Sequence, residues 1–448
     1  MQRDANAVAG MGEEPGPQGA RMAQSLTQGP VGTKPRPALD GSATTASAAA
    51  VSVAQIGARM HYAVPILLHQ AGRLERLYTD ICAVKGWPKL VRTLTKDRGP
   101  AALQRLAGRV PDGIPPRRIV SFSTFGLRYH ARTAAAASTA ALIEAYVWGA
   151  QQFCRRVVRC GLHPAAATYT FNGAGLEIMA AAREQGLVAI MEQTSAPLSV
   201  AWQLINQQRE LFPQWEGPPI GAEAIAAMVA RETAEWALAD RVLCGSQFVV
   251  EGVRQVGGPV ERCTVVPYGI GTAFNVDRPP HSGPLRVLTV GSVGIAKGSP
   301  QVLEAARLIG RGAAFRMIGA LRIGAVIEQE IRRYVDLRGA VPRAAIAPHY
   351  AWADVFVLPS LCEGSATVTY EALAAGLPVI CTANTGAVVT DGVDGFIVRA
   401  ADPHAITAAL QSLIRNRELL HVMSKAARLT ARRYSLDAYG RRLMAATA

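Results

Sequence analysis

The sequence predicts an α/β protein made of two doubly wound domains. Short apolar strands, each followed by a glycine-containing turn and an amphipathic helix, recur along the chain, as in residues 165–190 and 285–309. That order is typical of parallel sheets covered by helices on both faces. The length of 448 residues, half of them apolar, exceeds one ordinary core and is enough for two.

Composition places the expected boundaries. Residues 1–50 are rich in Gly, Ala, Pro, Ser, Thr and Gln and hold few large apolar side chains, so they are expected to form a disordered tail. The first domain is expected over residues 51–272 and a proline-bearing linker over 273–284. The second domain then covers 285–432, and a last helical segment covers 433–448.

The first domain opens with an apolar strand that begins at Val51. After the first loop, the spacing of the apolar residues between Ile66 and Ile81 predicts a single helix. Further along, Glu192 ends a predicted strand, where α/β proteins place ligand-facing side chains, so it is a candidate for contact with a ligand. His61, in the first loop, is a second candidate, and a purely structural histidine is the open alternative.

The cysteines and the apolar runs indicate where in the cell the protein is expected. Seven cysteines form no CxxC pair and no cluster with histidine at zinc-like spacing, so no metal site is expected. An odd count without a secretory leader is typical of reduced thiols in a cytoplasm. No apolar run reaches the roughly 18 residues that cross a bilayer. The expected location is therefore cytoplasmic, with peripheral contact at the inner face of the membrane as a further option.

The stretch over residues 358–380, LPSLCEGSATVTYEALAAGLPVI, carries the strongest chemical signal. It reads as a buried strand, a polar loop and a helix that begins near Thr367, and the free amides of such a helix start form an anion site. Glu363 and Glu371 flank the loop, and carboxylates accept hydrogen bonds from sugar hydroxyls. The predicted ligand carries both phosphate and a polyol. The alternative is that one glutamate caps the helix and the other is solvated.

This arrangement of two glutamates, with a glycine after the first and EALAAGLPVI after the loop, resembles the nucleotide-sugar motif of retaining glycosyltransferases of family 4, in the glycosyl transferases group 1. The resemblance implies the GT-B fold, in which two Rossmann-like domains face a cleft. It also implies that Glu363 faces the donor sugar and that Glu371 binds the ribose hydroxyls. The backbone amides that hold the diphosphate are those of Gly364, Ser365, Ala366 and Thr367.

A glycine-rich turn in residues 285–298 supports the same interpretation. Glycines let a backbone approach a phosphate closely, and Lys297 supplies a positive charge. By resemblance, Lys297 neutralises the departing diphosphate, and Gly291 and Ser292 belong to the donor-binding loop. The family carries an arginine where Ser292 stands. Either another arginine replaces it or the leaving group is stabilised less.

The resemblance implies a metal-independent hexosyltransferase in polysaccharide biosynthesis. The second domain would bind a nucleotide sugar, which is a substrate rather than a cofactor, and the first would present a glycan or lipid-linked acceptor. The segment over 433–448 would cross back onto the first domain. Two alternatives stay open: another GT-B enzyme such as a nucleotide-sugar epimerase, and a non-catalytic protein that binds sugar nucleotides.

The basic charge of the chain is concentrated in one region. Residues 85–132 hold eleven Lys or Arg against two acids, a net +9 out of the +14 of the whole chain. Such a charge acts through its field on partners. An anionic membrane surface or a phosphorylated lipid acceptor fits this field, and a solvated basic face is an equal alternative. The aromatic residues there form no RNA-binding motif, so no nucleic acid partner is expected.

Overall fold

The computed structural model describes residues 49–95, 101–162, 164–278 and 281–448, and within them it confirms the GT-B fold. The tail predicted over 1–50 lies almost wholly outside the described residues. Two parallel sheets with helices on both faces follow one another along the chain. We refer to the parts built on them as the first half and the second half.

The first sheet has the strand order β3-β2-β1-β4-β5-β6-β7. Its strands are β1 (Val51–Gln55), β2 (Leu74–Thr79), β3 (Ile119–Ser121), β4 (Ala167–Phe171), β5 (Val188–Gln193), β6 (Arg241–Cys244) and β7 (Cys263–Val265). The order reverses between β1 and β4, where Val51 pairs with Ala167. In open sheets of this kind, ligands bind outside the carboxyl ends of the strands at such a switch point.

The single helix predicted between Ile66 and Ile81 is wrong. The helix there ends at Gln70, Gly72 follows in the left-handed region with φ +70°, and the chain enters strand β2. A strand inside a parallel sheet is buried on both faces, so its apolar residues do not alternate cleanly with polar ones. The apolar residues of β2 therefore happened to fit the helical spacing that began in the preceding helix.

Helices connect the strands of the first half. They are α1 (Ala63–Gln70), α2 (Gly86–Thr95), α3 (Ala101–Ala107), α4 (Ser123–Ala134), α5 (Thr139–Cys160), α6 (Leu176–Glu184), α7 (Leu198–Leu211), α8 (Pro213–Glu216), α9 (Ala226–Leu238) and α10 (Gln247–Gln255). Glu235 of α9 is fully buried and accepts hydrogen bonds from the amides of Gly173, Gly175 and Leu176. This carboxylate therefore satisfies free N–H groups at the start of α6.

The second sheet has the strand order β10-β9-β8-β11-β12-β13. Its strands are β8 (Leu285–Val290), β9 (Ala313–Ile318), β10 (Val335–Leu337), β11 (Val355–Leu358), β12 (Val379–Thr382) and β13 (Gly395–Val398). The switch point lies between β8 and β11, where Val287 pairs with Val355. The glycine-rich turn follows β8 and the stretch with the two glutamates follows β11, so the topology brings these two motifs to one edge of the sheet.

The helices of the second half are α11 (Ser299–Ile309), α12 (Ala325–Ile331), α13 (Ala347–Trp352), α14 (Thr367–Ala374), α15 (Pro403–Arg415), α16 (Arg417–Arg433) and α17 (Leu436–Thr447). The last of them, α17, lies on the first half and packs against α1. Arg73 holds its end, donating from Nη2 to the carbonyl of Thr447 over 2.7 Å. A bridge between Ile270 and Ser435 joins the chain on either side of the second half.

The two halves also touch through α7 and α8. Trp215 is 4% exposed and packs into the apolar core of the second half. Gln301 Nε2 donates to Gln208 Oε1 over 2.8 Å, and the amide of Ile295 donates to Glu216 Oε1 over 2.6 Å. The glycine-rich turn of the second half is thus held by a carboxylate of the first.

In the parts of the chain described here, no helix combines the length and the apolar character that a membrane crossing requires.

Candidate functional site

A cavity of about 230 Å³ lies where the carboxyl ends of the two sheets face each other. Both sequence motifs of the second half contribute to it, and the first half covers it from the other side. Its lining residues are Arg59, Met60, Thr194 and Tyr268 from the first half and Val290, Gly291, Lys297, Glu363, Gly364, Ser365, Ala366, Thr367 and Val368 from the second. Of the residues predicted to bind the donor, the cavity gathers all except Ser292 and Glu371.

Lys297 and Glu363 form an ion pair inside this cavity. The two side chains are 25% and 17% exposed, and Ser360 Oγ donates to the same carboxylate oxygen of Glu363 over 3.2 Å. Burial lowers the pKa of Lys297 to about 8. The two residues predicted to be catalytic are therefore in direct contact, although 66 positions separate them in the chain.

The loop between β11 and α14 presents backbone N–H groups to the cavity. Within the described residues, the amides of Gly364, Ser365 and Thr367 have no hydrogen-bond acceptor, whereas the amide of Ala366 donates to the carbonyl of Thr385 over 3.2 Å. Helix α14 begins at Thr367, so the positive end of its dipole points to the same place. Free N–H groups at a helix start suit an anion, and Ala366 contributes no free amide. That these amides hold a diphosphate stays a prediction.

Glycine is required at position 364 because the backbone of the first half comes very close. A Cβ atom there would lie 1.9 Å from the carbonyl oxygen of Thr194. The carbonyl of Gly364 also accepts a hydrogen bond from Ser246 Oγ. Contacts from two different strand ends of the first half thus fix this loop.

Glu371 lies on α14, is 3% exposed, and is absent from the cavity lining. Arg343 Nη1 donates to one of its carboxylate oxygens over 2.8 Å, and the hydroxyl of Tyr350 donates to the other over 2.8 Å. The predicted binding of ribose hydroxyls by this carboxylate stays a prediction. In the ligand-free protein an arginine and a tyrosine hold the carboxylate in place.

The residues of the glycine-rich turn contribute unequally to the cavity. Gly291 lines the cavity, and its amide donates to the carbonyl of Ile318 over 2.9 Å. Ser292 is half-buried and does not line the cavity. Gly298 has φ +69°, and a Cβ atom there would lie 2.2 Å from the carbonyl oxygen of Pro359, which explains the glycine after Lys297.

Glu192 lies beneath the cavity rather than in it. It is 2% exposed, and the hydroxyls of Tyr169 and Tyr268 donate to its two carboxylate oxygens over 2.5 and 2.7 Å. Burial raises the pKa of Glu192. The proposed contact of this residue with the reacting sugar is untested, but both oxygens already have partners.

His61 is exposed and belongs to the loop that carries Arg59 and Met60. Desolvation lowers its pKa, and the positive charge of Arg343 lowers it further. The imidazole is therefore neutral near pH 7. Arg343 belongs to the second half, so its charge acts on this loop from the other half of the protein.

Sequence reasoning did not single out several residues of the site. Arg59, Met60, Thr194 and Tyr268 line the cavity, and Arg343 holds Glu371. Thr194 directly follows strand β5, so its position at a strand end is a signal that could have identified it. The contribution of Arg59 depends on how the two halves face each other, which no local pattern reveals.

Cys362, next to Glu363, is predicted from the sequence to be a small buried residue at the end of a strand, and a nucleophile is the alternative interpretation. Burial raises the pKa of this thiol to about 11. It is therefore protonated near neutral pH, and a thiol is a weak nucleophile. Across the described ranges, no group of three or more His, Cys, Asp or Glu side chains could hold a metal ion.

The two parallel α/β halves and the cavity between them define a protein of the GT-B fold class, in which two Rossmann-like units face a cleft. Residues 284–416, which include the glycine-rich turn and both glutamates, match the family of glycosyl transferases group 1. The resemblance to that group predicted from the sequence is confirmed over these residues. The narrower assignment to family 4 stays a prediction.

Curated relatives extend the similarity into the first half. The chain is 30% identical over 254 residues to the D-inositol 3-phosphate glycosyltransferase of Xylanimonas cellulosilytica, which covers 50% of this chain and 58% of that protein. It is 31% identical over 176 residues to the amylovoran biosynthesis glycosyltransferase AmsK of Erwinia amylovora, covering 35% and 43% of the two chains. The matches thus span about half the length of these relatives.

Solved structures share the fold over most of the chain. HepE of Anabaena, in complex with UDP and glucose, has a TM-score of 0.59 and 14% identity, covering 88% of this chain and 98% of that chain. The sucrose-phosphate synthase of Thermosynechococcus elongatus has a TM-score of 0.60 and 15% identity, covering 88% and 96%. At this level of identity the likeness establishes the fold alone.

Proposed function

We propose that the protein is a retaining, metal-independent glycosyltransferase that moves a hexose from a nucleotide sugar to a glycan or lipid-linked acceptor. The observation that carries the proposal is the cavity in which Lys297, Glu363 and the free amides of Gly364, Ser365 and Thr367 face one another. A carboxylate suited to sugar hydroxyls lies there beside an ammonium and N–H groups suited to a diphosphate.

In the transfer, the bond between C1 of the sugar and the diphosphate oxygen breaks and its electron pair stays on that oxygen. The acceptor oxygen forms the new bond to C1, and the proton of the acceptor hydroxyl passes to the departing diphosphate. Negative charge accumulates on the departing diphosphate. Lys297 and the amides at the start of α14 are placed to stabilise that charge, and fixed donors in a partly enclosed site do so effectively. Glu363 accepts from sugar hydroxyls once the diphosphate takes over its contact with Lys297.

The carboxyl edge of the first sheet is the proposed acceptor side. Asp80 follows β2 there, is 1% exposed, and accepts from Arg109 Nη1 over 2.8 Å and from the amide of Gly57 over 2.9 Å. Arg109 Nη2 also lies 3.1 Å from Nε2 of the exposed His130. This cluster of polar groups suits an acceptor with hydroxyl or phosphate groups.

Peripheral contact with an anionic membrane is part of the proposal. Trp87, Leu90 and Leu94 of helix α2 are 39%, 61% and 74% exposed, in the region where the basic residues are concentrated. Exposed apolar side chains on one helix face beside Lys89 and Arg92 fit the interface of a bilayer that carries negative lipids. A lipid-linked acceptor would be presented at such a surface.

The names of the similar proteins indicate which ligands to test first. AmsK is named for amylovoran biosynthesis, another relative for D-inositol 3-phosphate, and HepE was solved with UDP and glucose. Polysaccharide intermediates and phosphorylated polyols are therefore the first acceptors to test, with UDP-sugars as the first donors.

A thermal-shift screen of UDP-, GDP- and ADP-sugars tests the proposal, because a ligand that binds only the folded state raises the unfolding temperature. We expect one nucleotide class to stabilise the protein and Glu371→Ala to lose the effect. Transfer with that donor would then be followed by NMR of the product anomer, in buffer with and without EDTA. A product of inverted configuration, or activity lost with EDTA, would contradict the proposed mechanism.

The same experiments separate the alternatives. Conversion of the donor without any acceptor would indicate an epimerase. Stabilisation by a nucleotide sugar with neither transfer nor conversion would indicate a non-catalytic binding protein. Failure of every nucleotide sugar to stabilise the chain would overturn the proposed function.

A further inference from the structure

The cavity holds an uneven set of charges. Its charged lining residues are Arg59, Lys297 and Glu363. Lys297 is already paired with Glu363, so these two charges compensate each other. Among the described residues that line the cavity, Arg59, which comes from the opposite half, is the remaining cation.

The guanidinium of Arg59 is available to a ligand. Among the described residues it makes no ion pair and no hydrogen bond, and its side chain is exposed to the cleft. It contacts the ring of Phe171, whose centroid lies 5.5 Å from Cζ, and its positive charge also acts on the buried Glu192, where it opposes the rise in pKa that burial causes. The carboxylate of Glu192 below it is engaged by Tyr169 and Tyr268 and forms no ion pair with it.

The loop that carries Arg59 has an unusual backbone. Met60, His61 and Tyr62 follow it with φ values of 45°, 52° and 62°, all in the left-handed region. Such values are costly for residues other than glycine and persist only where surrounding contacts impose them. Tyr62 supplies one such contact, because it is fully buried and its hydroxyl donates to the carbonyl of Ile81 over 3.2 Å.

A second contact holds the start of the loop. The amide of Gly57 donates to Asp80 Oδ1, and Arg109 holds the other oxygen of that carboxylate. Arg59 is thus anchored between two fixed points, Gly57 and Tyr62, on the rim of the cavity. A fixed position reduces the ordering that its side chain must undergo when it binds a ligand.

We infer that Arg59 binds the diphosphate of the nucleotide sugar from the first half of the protein. The inference rests on the proposed function and extends it. The diphosphate would lie between the amides and Lys297 of one half and the guanidinium of the other. An arginine fork matches phosphate oxygens in a bidentate manner and stays protonated at any working pH.

This assignment also accounts for the donor loop of the second half, which carries the uncharged Ser292 and, among the described residues, contributes Lys297 alone as a cation to the cavity. Because Arg59 belongs to the opposite half, its contact would couple binding of the diphosphate to closure of the cleft. Arg59 would then act on the reacting group itself, as the charge on the diphosphate increases during transfer.

Paired nucleotides test the inference in the full-length chain. Titration calorimetry compares a nucleoside diphosphate with its monophosphate for the base that the wild-type protein binds. The pairs are UDP and UMP, GDP and GMP, or ADP and AMP. We expect Arg59→Ala to weaken the binding of the nucleoside diphosphate roughly tenfold, as for the loss of one charge-assisted contact. The affinity for the nucleoside monophosphate should change little. Arg59→Lys should keep part of the affinity. Arg432→Ala, which removes an exposed arginine outside the cavity, should change neither the diphosphate affinity nor the monophosphate affinity.

Two results would overturn the inference alone: unchanged diphosphate affinity in Arg59→Ala, or an equal loss for diphosphate and monophosphate. A result in which the wild-type chain binds none of the nucleoside diphosphates would overturn the proposed function as well, so the two failures are distinguishable. The unfolding temperature of ligand-free Arg59→Ala checks that the variant is folded.

Discussion

Lys297 Nζ and Glu363 Oε1 form an ion pair at the centre of the cavity between the two halves. The lysine comes from the turn after β8 and the glutamate from the loop after β11, two strands that are neighbours in the second sheet. The pair keeps both charged groups satisfied. Under the proposed function, a diphosphate would have to compete with Glu363 for the ammonium.

The titration of Lys297 gives a prediction for pH. Burial lowers its pKa to about 8, and only the protonated form stabilises a departing diphosphate. Activity should therefore be full below this pKa and fall as the pH rises through it. Arginine stays protonated throughout, so Lys297→Arg should lose the alkaline fall even if its rate is lower. Profiles of kcat/KM for the donor measure this, and an identical fall in Lys297→Arg would assign the titration to another group.

The partners of Glu371 give a prediction for affinity and stability. Glu371→Ala should raise the KM for the donor and weaken the binding of the free nucleoside, because the proposed acceptor of the ribose hydroxyls is lost. It should also lower the free energy of unfolding by about 1–3 kcal/mol, since the buried hydroxyl of Tyr350 loses its acceptor at 2.8 Å and keeps only the carbonyl of Val368 at 3.5 Å.

Arg343→Ala separates these two effects. It removes the other partner of Glu371 while the bond from Tyr350 remains. A smaller loss of stability than in Glu371→Ala is expected, because Arg343 is 52% exposed. Donor calorimetry and chemical denaturation measure both quantities. Unchanged nucleoside affinity in Glu371→Ala would contradict the ribose assignment.

The close approach of the Thr194 carbonyl to Gly364 gives a prediction about stability and donor affinity. Gly364→Ala would place a Cβ atom 1.9 Å from the carbonyl oxygen of Thr194, so the loop or the first half must shift. We expect a loss of about 1–3 kcal/mol in the free energy of unfolding, together with a large fall in donor affinity as the free amides move.

Gly271→Ala is the matched control for this change. No heavy atom of the described residues lies within 4 Å of a Cβ there, and its φ is −80°, which any residue adopts. Denaturation and donor titration of both variants form the measurement. Equal behaviour of Gly364→Ala and Gly271→Ala would show that the two halves are not fixed against each other at this loop.

The buried carboxylate of Glu192 gives a prediction about its role. Glu192→Gln should keep both activity and stability, because an amide can accept from one tyrosine hydroxyl and donate to the other. Glu192→Ala should be destabilised by about 2–6 kcal/mol, since two buried hydroxyls lose their acceptors. Thermal unfolding and kcat are the measurements. A Glu192→Gln variant that is stable but has a much lower kcat would instead indicate a carboxylate in contact with the reacting sugar.

Much of the second half could be predicted from local sequence. The strand, glycine turn and helix over residues 285–309 and the stretch over 358–380 are encoded by turn residues and apolar periodicity within one segment. Parallel strands meet at one edge, so the contact between Lys297 and the loop of Glu363 follows once the strand order is known. The helix predicted between Ile66 and Ile81 failed because a doubly buried strand lacks alternation.

The sequence by itself determined the α/β class, the two motifs and the types of chemical group that they offer, because these depend on residues close together in the chain. Only the tertiary structure decided which groups meet: Arg343 with Glu371, Trp215 in the core of the second half, and Arg59 across the cavity from Lys297. These pairs lie far apart in the chain, and their proximity depends on how two sheets pack and face each other. No local pattern records that packing.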